Sequence, residues 1–172
     1  ISKLAGEYYC RVFSEVYGLK TACLRYFNVY GPRQNPNSQY AAVIPRFITR
    51  ILAHESPVIY GDGEQTRDFT FVKDVVKANI LAMKSEGEGV FNIACGERVS
   101  LNMLAGKIME ITGIKLDPIY DEPRQGDIRD SLADISSAGE KLGYKPGFEL
   151  NLGLEETIKW FRENKQTGCK IS

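Results

Sequence analysis

The sequence predicts an α/β fold, because segments typical of strands alternate with segments typical of helices along the chain. Continuous apolar runs with aromatic residues, such as LRYFNVYG and GVFNIAC, are typical of buried strands. Between these runs, apolar residues recur every three or four positions, which is the spacing of an amphipathic helix. The 172 residues are enough for one sizeable core, although only about four or five short strands are predicted.

The first third of the chain predicts a helix, a strand and a second helix. Leu4, Tyr8 and Val12 form the apolar stripe of the first helix, and Gly18 ends it in the left-handed conformation. The run KTACLRYFNVYG then predicts one buried strand that leaves the core for a loop. The segment QYAAVIPRFITRILAHES predicts an extended approach and a helix, with Pro45 in the first turn because a proline deeper inside would break it.

The remaining elements alternate in the same way. Short strands are predicted in PVIYGDG, TRDFTFV, GVFNIAC and LDPIY. Asp74 lies near the start of a helix whose predicted apolar face consists of Val75, Val76, Ile80 and Met83. Ser100 can cap the next helix, which ends at Gly113, and Asp134 can cap a short helix after it. A final amphipathic helix is predicted in NLGLEETIKWFREN.

Composition argues against several classes of function. The 22 basic and 22 acidic residues give zero net charge, which argues against a nucleic-acid surface or a polybasic membrane anchor. No apolar stretch approaches the roughly 20 residues of a membrane span. The four cysteines lack metal-like spacing and predict reduced thiols in a cytoplasmic protein. The single histidine, His54, has no partner for a zinc site or a catalytic triad and is predicted to be exposed and non-catalytic.

Two arginines beside flexible turns are the strongest candidates for chemistry. Arg67 follows the glycine-flanked turn of YGDGEQTRD, and Arg124 lies in EPRQGD. Their planar guanidinium groups suit bidentate contacts to phosphate oxygens. Asn28 could join them, because it follows a predicted parallel strand and ligands of open α/β sheets lie beyond such strand ends. Alternatively, both arginines form surface salt bridges with acids such as Asp68 and Asp127, and the residues alone leave both interpretations open.

The order of several motifs is more specific. S-K near the start is followed by LRYFNVYGPRQ, YAAVIPRF, VIYGDGEQTRDFTFVKDV, FNIACG and PRQGDIRDSLAD. This series resembles the C-terminal part of an extended short-chain dehydrogenase/reductase of the NAD-dependent nucleotide-sugar epimerase/dehydratase family, over nearly the whole chain. NVYGPRQ with GDGEQTRDF looks most like the UDP-hexose 4-epimerases. Nucleotide-sugar 4,6-dehydratases and UDP-glucuronate decarboxylases are alternatives on the same scaffold, and a non-catalytic UDP-binding remnant is a third.

The resemblance implies a domain organisation. The chain would hold the last strands and helices of a Rossmann sheet together with a small α/β substrate-binding domain. We expect the Rossmann part in residues 1–30 and 60–95 and the substrate-binding part in residues 31–59 and 96–172. The N-terminal half of the Rossmann domain, with its glycine-rich NAD loop, is expected to be absent. Exposed apolar residues on the first helix are then expected to promote association of the chain.

The family's active-site motif is Y-x-x-x-K, and Lys3 matches its lysine. The tyrosine would lie two places before Ile1, so the chain is expected to begin inside this motif and to be inactive alone. In the intact enzyme, NAD would take hydride from C4 of a UDP-sugar while the tyrosinate removes the hydroxyl proton, and hydride would return to the other face of the 4-keto sugar. The charge of Lys3 would favour the tyrosinate.

The resemblance also assigns binding residues. NAD is the implied cofactor, with Lys3 at its nicotinamide ribose and Tyr26 and Phe27 beside the nicotinamide. Arg67 and Arg124 match a clamp on the pyrophosphate of a UDP-sugar. The other matched substrate contacts surround the uridine, its ribose and its phosphates: Asn28, Ala42, Val43, Arg46, Tyr60 and Asp127.

Ser131 matches a position that faces the C2 substituent of the sugar. A bulky aromatic residue there would leave no room for an N-acetyl group, whereas serine is small. The resemblance thus implies that the intact enzyme accepts UDP-N-acetylglucosamine and UDP-N-acetylgalactosamine as well as UDP-glucose and UDP-galactose. It further implies a cytoplasmic homodimer that binds neither nucleic acid nor membrane.

Overall fold

The computed structural model describes residues 1–36 and 42–165; Cys169 and the predicted approach to the second helix at 39–41 lie outside them. The helices of the described residues are α1 (Ser2–Tyr17), α2 (Val43–Leu52), α3 (Val72–Lys84), α4 (Leu101–Thr112), α5 (Ser136–Leu142) and α6 (Leu150–Lys165). The strands are β1 (Ala22–Tyr26), β2 (Val29–Tyr30), β3 (Val58–Tyr60), β4 (Thr66–Arg67), β5 (Thr70–Phe71), β6 (Gly89–Ile93), β7 (Val99–Ser100) and β8 (Ile119–Asp121).

The described strands associate in four separate pairs. β1 pairs with β6, β2 with β5 and β3 with β8, all in parallel, whereas β4 and β7 are antiparallel. In the longest pair, Ala22 lies opposite Gly89 and Tyr26 opposite Ile93. Parallel pairing through intervening helices is what the alternating pattern predicts, and the α/β class is confirmed.

The larger hydrophobic core lies where α2, α4 and α6 pack together beside β2, β3 and β5. Ile48 and Leu104 are completely buried there. The Tyr30 hydroxyl donates to the Leu150 carbonyl at 3.3 Å. This ring passes so close to α6 that a Cβ added at Gly153 would lie 2.2 Å from the hydroxyl oxygen. A glycine is therefore needed in the first turn of α6.

A smaller core lies between β6, α3 and α5, and it contains Ala78, Phe91, Ile93, Ala138, Leu142 and Tyr144. The Tyr144 hydroxyl donates to the Ala94 carbonyl at 3.0 Å, and burial raises the pKa of this hydroxyl. Both cores contain residues from 1–30 or 60–95 together with residues from 31–59 or 96–172. The division of the chain into these two sets of ranges therefore stays a prediction.

The predicted helix ends of α1 and α4 are confirmed by their geometry. Gly18 and Gly113 follow α1 and α4 in the left-handed conformation, with φ of 67° and 74°. At the start of α4, the Ser100 hydroxyl accepts the Met103 N–H at 3.2 Å. At α5 the capping position is occupied by Ile135 and not by the predicted Asp134, whose carboxylate accepts the Ser136 N–H at 2.9 Å from one residue earlier. These caps satisfy helix-end groups that have no partner within the helix.

The strands are shorter and more numerous than predicted. The prediction of one buried strand in KTACLRYFNVYG is wrong, because Asn28 has a φ of 33° and separates β1 from β2. TRDFTFV is likewise divided into β4 and β5, with the buried Asp68 and Phe69 between them. β1 is not buried either, since Arg25 and Tyr26 are exposed.

α1 and α3 expose most of their apolar side chains. No residue of α1 is buried, and Leu4 and Tyr8 are 50% and 59% exposed. On α3, Val75 is buried as predicted, but the helix otherwise buries Asp74 and Ala78. The other predicted members of its apolar face are exposed: Val76, Ile80 and Met83. Every helix in the described ranges is too short or too polar to cross a membrane.

Candidate functional site

One pocket collects most of the predicted substrate contacts. It is a cleft of about 200 Å³ between the N-terminal turn of α2, β3, β4 and the loop after β8. Its lining includes every predicted substrate contact except Ser131: Asn28, Ala42, Val43, Arg46, Tyr60, Arg67, Arg124 and Asp127. Residues from distant parts of the chain therefore share one space.

The N-terminus of α2 forms one wall of the pocket. Ala42 precedes the helix in an extended conformation and offers no side chain to cap it. Pro45 lies in the first turn as predicted, where its missing N–H costs nothing. Ala42, Val43 and Ile44 line the pocket, so the partial positive charge of an uncapped helix N-terminus lies at its wall. Such an end favours an anionic ligand.

Arg67 reaches the pocket from β4 and is held by three acceptors of the protein. Its Nη1 donates to the carbonyls of Thr66 at 2.7 Å and Ile128 at 2.6 Å. Its Nη2 pairs with the Asp127 carboxylate, and the Arg67 side chain is only 16% exposed. The salt-bridge alternative therefore holds for Arg67 and Asp127, and this pair places the acid at the edge of the pocket.

Asp68 does not form a surface salt bridge with an arginine, so that part of the alternative is wrong. Asp68 is completely buried, and its carboxylate accepts the N–H groups of Cys95 at 2.9 Å, Gly96 at 3.0 Å and Ala133 at 3.3 Å. Three backbone donors thus satisfy the carboxylate inside the protein. The Asp68 carbonyl also accepts Asn28 Nδ2 at 3.2 Å, which holds Asn28 in its left-handed conformation beside the pocket.

Arg46, Tyr60 and Arg124 form a second group in the pocket. The Arg124 guanidinium carbon lies 4.0 Å from the centroid of the Tyr60 ring. The guanidinium groups of Arg124 and Arg46 hold the pKa of the Tyr60 hydroxyl below its usual value. Among residues 1–36 and 42–165, neither arginine forms a salt bridge. The pocket therefore carries uncompensated positive charge.

Four predicted residues lie outside the lining of this pocket: Lys3, Tyr26, Phe27 and Ser131. Lys3 is exposed on the first turn of α1. The Tyr26 hydroxyl donates to Asn79 Oδ1 at 3.0 Å. The Ser131 N–H donates to the Thr66 carbonyl at 3.2 Å, which places Ser131 next to β4. His54 is exposed, as predicted, and does not line the pocket either.

The pocket also contains residues for which no role is predicted: Val29, Tyr30, Ile44, Phe47, Val58, Gln65, Phe69 and Leu101. Gln65 stands out because it is polar and 6% exposed. Its Nε2 donates to the Tyr60 carbonyl at 2.5 Å, while its buried Oε1 has no hydrogen-bond partner. The position of Gln65 in GDGEQTR, two residues before Arg67, is the sequence signal that could have found it.

Comparison with known proteins identifies the family. The model of the NAD dependent epimerase/dehydratase family matches residues 1–94, which is more than half of the 172-residue chain. The chain therefore belongs to this family, and its resemblance to an extended short-chain dehydrogenase/reductase is confirmed.

Two solved structures resemble the chain in fold and sequence. UDP-glucose 4-epimerase from Thermotoga maritima, with UDP-glucose, has a TM-score of 0.90 and 45% identity, covering 94% of this chain and 52% of that chain. UDP-N-acetylglucosamine 4-epimerase from Methanobrevibacter ruminantium M1, in complex with UDP-N-acetylmuramic acid, has a TM-score of 0.91 and 49% identity at the same coverage.

One curated relative carries a different activity in its name. UDP-N-acetyl-alpha-D-glucosaminuronate decarboxylase from Bacillus cytotoxicus is 35% identical over 171 residues, which cover 95% of this chain and 52% of the relative. The chain thus spans about half the length of the proteins it matches.

Solved structures similar to this chain contain NAD, but the described residues do not form a site that fits it. The sequence contains neither G-x-G-x-x-G nor G-x-x-G-x-x-G, the loops that hold a dinucleotide pyrophosphate at a helix N-terminus. Lys3 and Tyr26 are exposed and lie outside the described lining of the pocket that contains Arg46, Arg67 and Arg124. Among the described residues, no cluster of His, Cys, Asp or Glu is arranged to hold a metal ion.

Proposed function

We propose that this chain forms the nucleotide-sugar-binding half of a UDP-sugar 4-epimerase. One observation carries the proposal: three arginines and Tyr60 converge at the uncapped N-terminus of α2, and the only acid in the described pocket lining, Asp127, is already paired. This arrangement suits a diphosphate joined to a ring. The likeness to two UDP-sugar 4-epimerases supports the choice of ligand and of reaction.

The residues of the pocket take distinct parts in this proposal. Arg67 and Arg124 bind the diphosphate oxygens, and Asn28 donates to a phosphate. The Asp127 carboxylate accepts a hydrogen bond from a ribose hydroxyl while it stays close to Arg67. Tyr60 and the α2 N-terminus, with Ala42 and Val43, surround the uridine.

The catalytic part of the proposal concerns the intact enzyme. Lys3 is assigned as the lysine of the tyrosine–lysine pair, and Lys3, Tyr26 and Phe27 as the contacts to NAD. In the present chain Lys3 is exposed and lies outside the arginine pocket. We therefore expect the 172-residue chain by itself to bind a UDP-sugar without converting it.

Acceptance of N-acetylated sugars is proposed for the intact enzyme from the small side chain of Ser131. The likeness to a UDP-N-acetylglucosamine 4-epimerase at 49% identity supports this choice. Ser131→Tyr should then weaken the binding of UDP-N-acetylglucosamine more than that of UDP-glucose. Equal losses for both sugars would remove Ser131 from this role.

Isothermal titration calorimetry of the purified chain tests the proposal. UDP and UDP-glucose should bind, ADP should bind at least about tenfold more weakly, and Arg124→Gln should weaken both UDP ligands at least about tenfold. Arg98→Gln is the matched control, because Arg98 is exposed, lies outside the pocket and carries the same charge. Equal affinity for UDP and ADP, or no effect of Arg124→Gln, would refute the assignment.

A nucleotide-sugar decarboxylase or dehydratase on the same scaffold is the second candidate. The decarboxylase relative at 35% identity favours it. A decarboxylase would bind UDP-glucuronate more tightly than UDP-glucose, whereas a 4-epimerase of neutral sugars should show the reverse order. A UDP-binding remnant without any catalytic partner would show UDP binding alone.

The proposed partner of the intact enzyme is a second copy of the chain, and the proposed compartment is the cytoplasm. The exposed apolar residues of α1 support association, and the free thiols of Cys10, Cys23 and Cys95 suit a reducing compartment. Sedimentation velocity should show a concentration-dependent increase in size. A monomer at every concentration would argue against the association.

A further inference from the structure

Arg46 is the third arginine of the pocket, and it lies outside the two motifs that contain Arg67 and Arg124, the predicted clamp on the pyrophosphate. It lies on α2, in the segment VIPRF, one turn from the uncapped N-terminus. Its side chain lines the same pocket as Arg124, which lies in the loop after β8. The two guanidinium groups meet at the Tyr60 side chain, where Arg124 lies 4.0 Å from the ring centroid.

The charges around Tyr60 are unbalanced. Asp127, the sole carboxylate in the described lining of this pocket, is engaged by Arg67. Arg46 and Arg124 line this pocket, and neither forms a salt bridge within the described ranges. Two like charges that line the same pocket repel each other, and an anion between them would convert the repulsion into two charge-assisted hydrogen bonds.

We propose that Arg46 is a further anion-binding residue, which contacts the diphosphate of the ligand from the α2 side while Arg124 contacts it from the loop after β8. The inference rests on the proposed function for the identity of the ligand, but the anion contact itself does not require a nucleoside.

A purely structural role for Arg46 would be to hold the Tyr60 ring in place. The two roles differ in which part of the ligand they affect. An anion contact acts on every ligand that carries the diphosphate and leaves uridine unaffected. A support of the Tyr60 ring acts on uridine as strongly as on UDP, because the ring would then be displaced for both.

The test compares three probes, UDP, inorganic pyrophosphate and uridine, in calorimetric titrations of the chain and of Arg46→Gln. We expect the variant to lose about tenfold or more in affinity for UDP and for pyrophosphate and to keep its affinity for uridine. Arg46→Lys keeps the charge but loses the planar guanidinium group. Its affinity for UDP and pyrophosphate should lie between those of the parent chain and of Arg46→Gln. Arg98→Gln, with the same loss of charge at an exposed position, should bind all three probes like the parent chain.

The outcomes separate this inference from the proposed function. Equal losses for uridine and UDP, or unchanged pyrophosphate binding in Arg46→Gln, would overturn the anion contact. Pyrophosphate binding that depends on Arg46, together with UDP binding no tighter than that of pyrophosphate, would support the contact and refute the nucleotide-sugar function. If the parent chain binds neither pyrophosphate nor UDP, both fail. Thermal unfolding of each variant by circular dichroism shows that the comparison is made between folded proteins.

Discussion

α1 and α2 are both amphipathic in sequence, yet they have opposite fates in the fold. α2 buries Ile44, Phe47, Ile48 and Ile51 against α4 and α6. α1 buries no residue, and its apolar stripe of Leu4, Tyr8 and Val12 is about half exposed. The difference lies in the partner layer: α2 has two helices to pack against within the chain, whereas α1 contacts mainly β1.

The comparison shows which part of the chain can hold a rigid site. The pocket is built on α2, β3 and β4, whose neighbours belong to the larger core. The residues matched to NAD lie on α1 and at the end of β1, where the side chains are largely exposed. Side chains are fixed by packing around them, so the arginine pocket is organised in this chain and the surroundings of Lys3 are not.

The largest expected effect tests the contrast between the two helices. Ile48→Ala in α2 should lower the free energy of unfolding by about 2–5 kcal/mol, because Ile48 is completely buried. Leu4→Ala in α1 should cost less than about 0.5 kcal/mol, because Leu4 is 50% exposed. Urea denaturation measures both. Similar losses for the two variants would break the comparison, and a loss for Leu4→Ala that grows with protein concentration would show that a second copy covers α1.

A smaller effect is expected at Asp68, whose carboxylate joins the segment between β4 and β5 to the backbone that follows β6. Asp68→Asn should cost about 1–3 kcal/mol, because an amide NH₂ would replace one oxygen that now accepts a backbone N–H from Cys95, Gly96 or Ala133. Asp117→Asn, at an exposed position, is the matched control and should change little. Chemical denaturation of both variants measures the change in the free energy of unfolding. An Asp68→Asn variant as stable as the control would show that the carboxylate does not stabilise the contact between the backbone after β6 and the segment that follows β4.

The smallest expected effect concerns two thiols. Burial raises the pKa of Cys95 to about 12 and, together with a contact to Cys10, that of Cys23 to about 11. Because the thiolate is the reactive form, Cys95 should react more slowly than Cys23 with iodoacetamide at pH 8. Peptide mapping by mass spectrometry after timed labelling measures both rates, and in denaturant the two should become similar. Faster labelling of Cys95 than of Cys23 would contradict the prediction. It would indicate that the region around Cys95 opens before the region around Cys23.

The elements were largely predictable from sequence because their signals are local. Gly18 and Gly113 end helices, and Ser100 caps one, through contacts within a few residues. The apolar faces were predictable only where a partner exists. Val76, Ile80 and Met83 fit a helical stripe in the sequence, but α3 packs through Val75 and Ala78 instead. Periodicity reports a potential face, and the neighbouring elements decide which side is buried.

The sequence predicted which residues line the candidate site, but it did not predict their salt-bridge and hydrogen-bond partners. Arg67 and Arg124 stood out by residue type and by the turns beside them, and both line the pocket. The pairing of Arg67 with Asp127, and the burial of Asp68 under three backbone donors, depend on loops far apart in sequence. Gln65 was missed because its buried Oε1 without a partner is a property of its surroundings, although its position two residues before Arg67 pointed to the same segment.

By itself, the sequence determined the α/β class, the helix ends, the family resemblance and the set of polar residues that could meet a diphosphate. Each of these depends on local spacing or on the order of motifs along the chain. Only the tertiary structure decided that Asn28, Arg46, Tyr60 and Arg124 share one pocket and that Lys3 lies outside it. It also left Arg46 and Arg124 without a counter-charge, because convergence and charge balance arise when distant segments pack against a common core.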